Sequence, residues 1–214
     1  MEYFSPTFGL VTEADPGTEN GGLFLAQYLA DYPNDIMANN VFMTKMAMAQ
    51  LPSGLYRRSA GHNVRSVSHD EITGMMASSY ILGTLHKNII WKQLKENFGA
   101  YPAIVMDWSD RLPFNPSNYY AWGQYAGSSF SYLFLPFYII NLLISANGEA
   151  GETSSKLIYW LELSTLPRTV INKLLLRMFG RMMKLQYGED YLAILRGIYF
   201  KGEAEGFPLF RVTK

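Results

Sequence analysis

One short stretch of the chain carries most of the residue types that could do acid–base chemistry. It reads Ser68-His69-Asp70-Glu71. An imidazole and two carboxylates in a cleft could act as general acid and general base. Adjacent residues of a helix point about 100° apart, so Ser68, His69 and Asp70 cannot align as a nucleophilic triad. The candidate catalytic residues are therefore Asp70, Glu71 and His69, working by proton transfer.

The same residues also have a purely structural interpretation. Ser-x-x-Glu is the pattern of a capping box, in which the Ser68 oxygen accepts the amide of Glu71 while Glu71 reaches back. Asp70 and Glu71 also place negative charge at the positive end of the helix dipole. Capping alone accounts for these three residues, so it is the favoured interpretation and catalysis is the alternative.

The spacing of the histidine and acidic residues does not indicate a metal or cofactor site. His62 and His69 could join the two acids around a metal ion, but they do not follow a zinc-ligand pattern. The sequence has no cysteine, which excludes disulfides, thiolate zinc sites and cysteine nucleophiles. We expect no metal and no cofactor.

A second candidate is the aromatic, uncharged stretch between Asn115 and Tyr125. Tyrosine and tryptophan beside asparagine and glutamine are typical of sugar-binding walls, of protein interfaces and of membrane-interface belts. Packing or a protein interface is the favoured interpretation. The candidate residues for glycan or partner contact are Tyr119, Tyr120, Trp122 and Tyr125.

A third candidate is a basic stripe, which recurs at helical spacing along residues 168–186. Its side chains could contact phosphates or an anionic lipid surface, but a solvated outer face of a core helix is the favoured interpretation. The candidate residues for anion contact are Lys173, Arg177, Arg181 and Lys184.

The most apolar part of the chain is residues 132–146, within a segment free of charge from Leu112 to Gly148. A membrane span needs about 20 apolar residues, and this run is shorter. We expect a central core helix, covered by the apolar face of residues 168–186 through Leu175 and Phe179. A membrane-inserted helix is the alternative, and Pro136 could mark the helix start as its first residue.

Apolar spacing and capping signals predict an all-α fold. We expect about eight helices in one compact bundle or partial (α/α)-toroid-like array, with Asp35 capping the second helix. Residues 1–18 are predicted to form an extended N-terminal arm, and residues 19–214 a single helical domain. No run alternates as a strand does, and no hairpin turn joins two strand-like runs.

The composition also excludes some classes of partner. The chain of 214 residues is 49% hydrophobic and 17% charged, with 18 basic and 18 acidic residues. That balance provides no global charge to attract nucleic acid or an anionic membrane, and the apolar content suits large buried contacts with other chains. The first residues lack the basic and apolar regions of a cleavable signal peptide, so we expect none.

Three patches, taken in order along the chain, resemble a known group of proteins. They are Glu19–Phe24, Arg65–Gly74, and Tyr191–Phe200 followed by Gly206–Phe210. Together they resemble a loose group of helical proteins encoded by tailed bacteriophages and prophages. The opening of the helix at Ser68, with Asp70 and Gly74, also resembles inner-ring helices of (α/α)-toroid proteins, many of which act on glycans.

The phage resemblance implies a non-enzymatic virion component or accessory protein, located in the virion or the host cytoplasm. It would act through contacts with other protein chains, in a homo- or hetero-oligomer. The toroid resemblance implies the alternative, a glycan-binding or glycan-cleaving enzyme. A small membrane-associated protein is a second alternative, suggested by the apolar run.

Overall fold

Every regular element in the described part of the chain is a helix. The computed structural model describes residues 21–49, 69–83, 116–148 and 153–195. A 3₁₀ helix, Ser129–Phe134, leads directly into the fifth α-helix. The α-helices are α1 (Gly21–Asp31), α2 (Ile36–Ala49), α3 (His69–Ile81), α4 (Pro116–Tyr125), α5 (Leu135–Asn147), α6 (Thr153–Thr165) and α7 (Val170–Tyr187).

The all-α prediction is confirmed, since these four ranges contain no strand. The predicted arm over residues 1–18 and the predicted cap at Ser68 lie outside the described residues. Helix α4 was not predicted, because its aromatic residues are weak helix formers and its proline and asparagine are typical of loops. Pro116 stands first in the helix, where a missing amide hydrogen costs nothing.

The predicted cap at Asp35 is confirmed. Its Oδ1 accepts hydrogen bonds from the backbone amides of Met37 at 2.8 Å and Ala38 at 3.0 Å. Its Oδ2 accepts a third from the Tyr28 hydroxyl at 2.7 Å, and these donors hold the pKa of Asp35 below its usual range. Asp35 thus fastens α1 to the start of α2.

We expect Asp35→Ala to destabilise the protein by about 1 kcal/mol, the usual cost of losing a helix N-cap. Asparagine keeps an acceptor oxygen, so Asp35→Asn should retain most of the stability. Because the folded-state pKa of Asp35 is lowered, the advantage of wild type over the alanine variant should shrink as the pH falls through that pKa. Urea denaturation of the three proteins at neutral and acidic pH measures this, and equal stability of wild type and Asp35→Ala would contradict it.

Helices α1 and α3 cross at their closest point through two glycines. A Cβ atom on Gly74 would lie 2.3 Å from the carbonyl carbon and oxygen of Gly22 and 2.4 Å from the nitrogen of Leu23. At the same crossing, Glu71 Oε2 accepts the backbone amide of Gly22 at 2.7 Å, inside the protein. A carboxylate of α3 therefore satisfies an amide in the first turn of α1, where helix amides lack intrahelical partners.

Helices α5 and α7 lie side by side and point in the same direction. Near their N-termini, the Tyr120 hydroxyl donates to Asn172 Oδ1 at 2.5 Å while its ring packs 4.8 Å from that of Tyr138, between ring centroids. Near their C-termini, the Lys156 ammonium donates to the Gly148 carbonyl and to the Tyr187 hydroxyl, both at 2.7 Å. The predicted packing of the apolar run against residues 168–186 is confirmed at the level of helices.

The prediction that α5 is enclosed on most of its positions is wrong. Only Tyr138, Leu142 and Ala146 of this helix are buried, whereas Ile140 is 55% exposed. Helix α5 has one face on the core and one face of large exposed apolar residues, so it is not a central helix. The helix begins at Leu135, so Pro136 lies in its first turn but is its second residue and not its first.

Candidate functional site

A polar pocket of about 280 Å³ opens between four helices. Helices α3, α4, α5 and α6 each contribute side chains, so the pocket depends on the tertiary fold and not on one local motif. Its lining is made mostly of hydroxyl, amide, imidazole and carboxyl groups. The lining residues are His69, Asp70, Thr73, Ser117, Asn118, Tyr138, Asn141, Ile144, Ser145, Ser155, Ile158, Tyr159 and Glu162.

Burial separates the floor of the pocket from its mouth. Thr73, Ser117, Tyr138, Tyr159 and Glu162 are buried and form the floor. The remaining lining residues are half-buried, apart from Ile144, which is largely exposed at the mouth. A ligand entering past Ile144 would therefore exchange water for hydroxyl, amide and carboxyl groups as it moves inward.

Glu162 is the carboxyl group on the floor of the pocket, and its pKa is strongly raised. Its side chain is 2% exposed, and burial raises its pKa to about 8, with the nearby charge of Asp70 adding to the rise. The Tyr138 hydroxyl, close to the carboxyl group, acts in the opposite direction. With a pKa of about 8, Glu162 carries its proton at neutral pH.

Asp70 lines the same pocket in a different local environment. It is half-buried and stands in the first turn of α3, where the helix dipole favours a negative charge. The pocket therefore holds one carboxyl group whose pKa is raised by burial and a second, half-buried one in the first turn of a helix. Two acids placed in unlike environments are the arrangement by which enzymes separate a proton donor from a proton acceptor.

The wall that carries His69 and Thr73 is supported by Trp122 from the core. The Trp122 indole nitrogen donates to Thr73 Oγ1 at 3.0 Å, and its ring stacks on the imidazole of His69 with centroids 6.2 Å apart. Trp122 is itself buried, so it holds these two side chains in place without lining the pocket.

Two tyrosines complete the floor on the side of α5 and α6. The rings of Tyr138 and Tyr159 meet edge to face with centroids 5.3 Å apart. Burial raises the pKa of both hydroxyls, and the charge of Glu162 adds to the rise in each case. These hydroxyls stay protonated at any ordinary pH and can serve as hydrogen-bond donors.

The structure brings together only part of the predicted sites. His69 and Asp70 line the pocket as candidate residues, but Glu71 is turned away to the amide of Gly22. Of the interpretations of the aromatic stretch, the structure supports packing, because all four side chains are buried in the core and do not present a surface for a glycan or partner contact. The four residues are Tyr119, Tyr120, Trp122 and Tyr125.

The basic stripe lies away from the pocket on the outer face of α7. All four of its side chains are exposed, as both interpretations of the stripe require, and none lines the pocket. The ammonium of the last one, Lys184, pairs with Glu189 at 2.6 Å. The stripe consists of Lys173, Arg177, Arg181 and Lys184.

Sequence reasoning missed Glu162, which is the central residue of the site. A signal was present, since Glu162 is the only charged residue between Leu157 and Leu163 and all its neighbours there are apolar or aromatic. A lone acid on such a helix is either paired or functional. Asn118 and Asn141 carried no comparable signal, because single asparagines in apolar or aromatic stretches are common.

Comparison of the chain with protein-family models, with curated proteins and with solved structures finds no match. Within the described residues, no group of three or more histidine and acidic side chains is placed to hold a metal ion. The interpretation of the pocket therefore rests on its own geometry and electrostatics.

Proposed function

We propose that the pocket binds a carbohydrate and that the protein cleaves a glycosidic bond with Glu162 as proton donor. The observation that carries the proposal is that Glu162, a buried carboxyl group with a raised pKa, lines the same polar pocket as Asp70. Glycoside hydrolysis uses a pair of carboxyl groups of this kind, one of them with a raised pKa.

The chemistry of the lining suits a neutral, polyhydroxylated ligand. The amides of Asn118 and Asn141 and the hydroxyls of Ser117, Ser145 and Ser155 both donate and accept hydrogen bonds. Among the described residues, no lysine or arginine lines the pocket, so that part of the chain provides no cation there for a phosphate or sulfate group. The volume of about 280 Å³ lies just under the roughly 300–1,000 Å³ of most small-molecule sites, which suits a single sugar unit.

Each carboxyl group has one role in the proposed reaction. The proton of Glu162 passes to the glycosidic oxygen as the bond between that oxygen and the anomeric carbon breaks. A water molecule attacks the anomeric carbon and gives its proton to the Asp70 carboxylate. The products are two sugar fragments, one with a new reducing end, and the protons return through solvent.

The test is release of reducing ends from a panel of polysaccharides by wild type, Glu162→Gln and Asp70→Asn. We expect Glu162→Gln to lose about 10²–10⁴-fold in rate, the usual contribution of a general acid. Glu189→Gln makes the same chemical change on an exposed carboxyl outside the pocket and should keep full activity. Full activity of Glu162→Gln, or a wild type that neither cleaves nor binds any saccharide, would overturn the proposal.

A role as a phage virion component or accessory protein stays a prediction from the resemblance alone. It rests on sequence patches of which Arg65–Ser68 and Gly206–Phe210 lie outside the described residues.

A further inference from the structure

The exposed face of α5 and of the 3₁₀ helix before it carries a continuous apolar stripe. Its five members recur at alternating steps of three and four residues and are 50–62% exposed. They are Phe130, Leu133, Phe137, Ile140 and Ile144. The stretch Ser129–Asn147 is also, by length and composition, the one candidate membrane span among the described residues.

This stretch cannot be surrounded by lipid, because one of its faces belongs to the core. Ser131, Tyr138, Leu142 and Ala146 are buried against the other helices. A helix with one face on its own protein and one apolar face outward can lie in a membrane surface but not cross it alone.

The neighbouring helix α7 presents basic side chains beside exposed apolar ones. Its outward face combines the basic stripe with exposed apolar side chains, among them Val170 at 84% and Leu185 at 88% exposure. The chain has no acidic residue between Glu162 and Glu189, so α7 carries no negative charge. Basic residues beside exposed apolar ones are typical of helices that lie on anionic lipid.

The two outward faces belong to neighbouring helices. Tyr120 joins the starts of α5 and α7, and Lys156 joins their ends, so the helices run side by side over a shared core. Each helix turns one face away from this core, and the two outward faces are therefore neighbours on the protein surface. From this we infer that the apolar stripe and the basic stripe together dock the protein on an anionic lipid bilayer.

A bilayer explains both stripes better than a second copy of the chain. In a two-fold dimer the same residues face each other, so the four cations of one basic stripe would lie close to those of the other. An anionic bilayer supplies apolar contact for the one stripe and negative charge for the other. Because Ile144 belongs to the apolar stripe and also lines the pocket mouth, docking would bring the pocket to the bilayer surface.

The test is cosedimentation with vesicles of phosphatidylcholine alone and of phosphatidylcholine mixed with phosphatidylglycerol. We expect wild type to bind the mixed vesicles and to be released as salt is added. Ile140→Asp should remain folded, since the side chain is exposed, and should bind about tenfold or more weakly. The double variant Arg177→Gln, Arg181→Gln should lose the preference for the anionic vesicles.

The matched control is Ile36→Asp, which makes the same change on an exposed isoleucine at the start of α2. It should bind vesicles as wild type does. The proposal is overturned if wild type binds neither kind of vesicle, or if Ile140→Asp binds as tightly as wild type. It is equally overturned if light scattering shows a wild-type dimer that Ile140→Asp dissociates, since the stripe would then pair with a second copy.

Discussion

Replacing Glu162 with glutamine is expected to remove a large pH dependence from the stability of this protein. The pKa of Glu162 rises from an ordinary value of 4.5 to about 8 in the folded state, chiefly because the carboxyl group is buried. Below pH 4.5 both folded and unfolded chains carry the proton, so the residue costs nothing. As the pH rises through this window to about 8, the unfolded chain releases its proton first, and stability is lost.

The expected effect is large in relation to the stability of a domain. One pKa unit is worth about 1.4 kcal/mol, so the shift corresponds to a loss on the order of 3–5 kcal/mol. Total stabilities are only about 5–15 kcal/mol. Above the folded-state pKa the loss is complete and the curve levels off.

Urea denaturation of wild type and Glu162→Gln across this pH range measures the effect. The two proteins should have similar stability at the acidic end, and the glutamine variant should be the more stable at the alkaline end. Glu189→Gln, on an exposed carboxyl, should follow wild type throughout. Parallel curves for wild type and Glu162→Gln would mean that Glu162 is ionised in the folded protein, and the proposed proton donor would be lost.

Replacing Gly74 with alanine is expected to destabilise the protein by about 2 kcal/mol. The added Cβ would lie 2.3–2.4 Å from backbone atoms of Gly22 and Leu23, and backbone cannot turn aside as a flexible side chain can. Overpacking usually costs 1–3 kcal/mol and sometimes more. The better helix propensity of alanine returns only about 1 kcal/mol.

The matched control is Gly180→Ala in the middle of α7. Its nearest neighbour would be the Tyr191 hydroxyl at 3.8 Å, which is ordinary contact, so this variant should gain up to about 1 kcal/mol. Thermal denaturation of both variants measures the difference. If Gly74→Ala proves as stable as wild type, α1 and α3 do not cross as closely as described.

Local signals predicted the helices well and the packing poorly. Asp35 was identified as a cap because capping depends on a few neighbouring residues. Whether an apolar run has one buried face or two depends on how many helices surround it, and the residues of α5 are equally apolar in either case. The exposure of Ile140 was therefore not predictable from its own sequence.

In the candidate site too, local signals identified some residues, while those that depend on tertiary packing were missed. His69 and Asp70 were identified because they stand together in the sequence at the start of a helix. Glu162 reaches them only through the packing of α6 against α3, which leaves no trace in local periodicity. The sequence alone did not decide whether the aromatic residues of α4 pack in the core or form a binding surface, because tyrosine and tryptophan occur in both.

The most direct test of the proposed glycosidase activity is a crystal structure of Glu162→Gln soaked with an oligosaccharide that wild type cleaves. We expect a sugar unit in the pocket between α3, α4, α5 and α6, with the side chain of residue 162 within hydrogen-bond distance of the glycosidic oxygen. We also expect Asp70 on the opposite face of the sugar ring, with room for a water molecule between its carboxylate and the anomeric carbon. An oligosaccharide bound elsewhere on the protein, with the pocket empty, would contradict the assignment of the pocket as the site of cleavage.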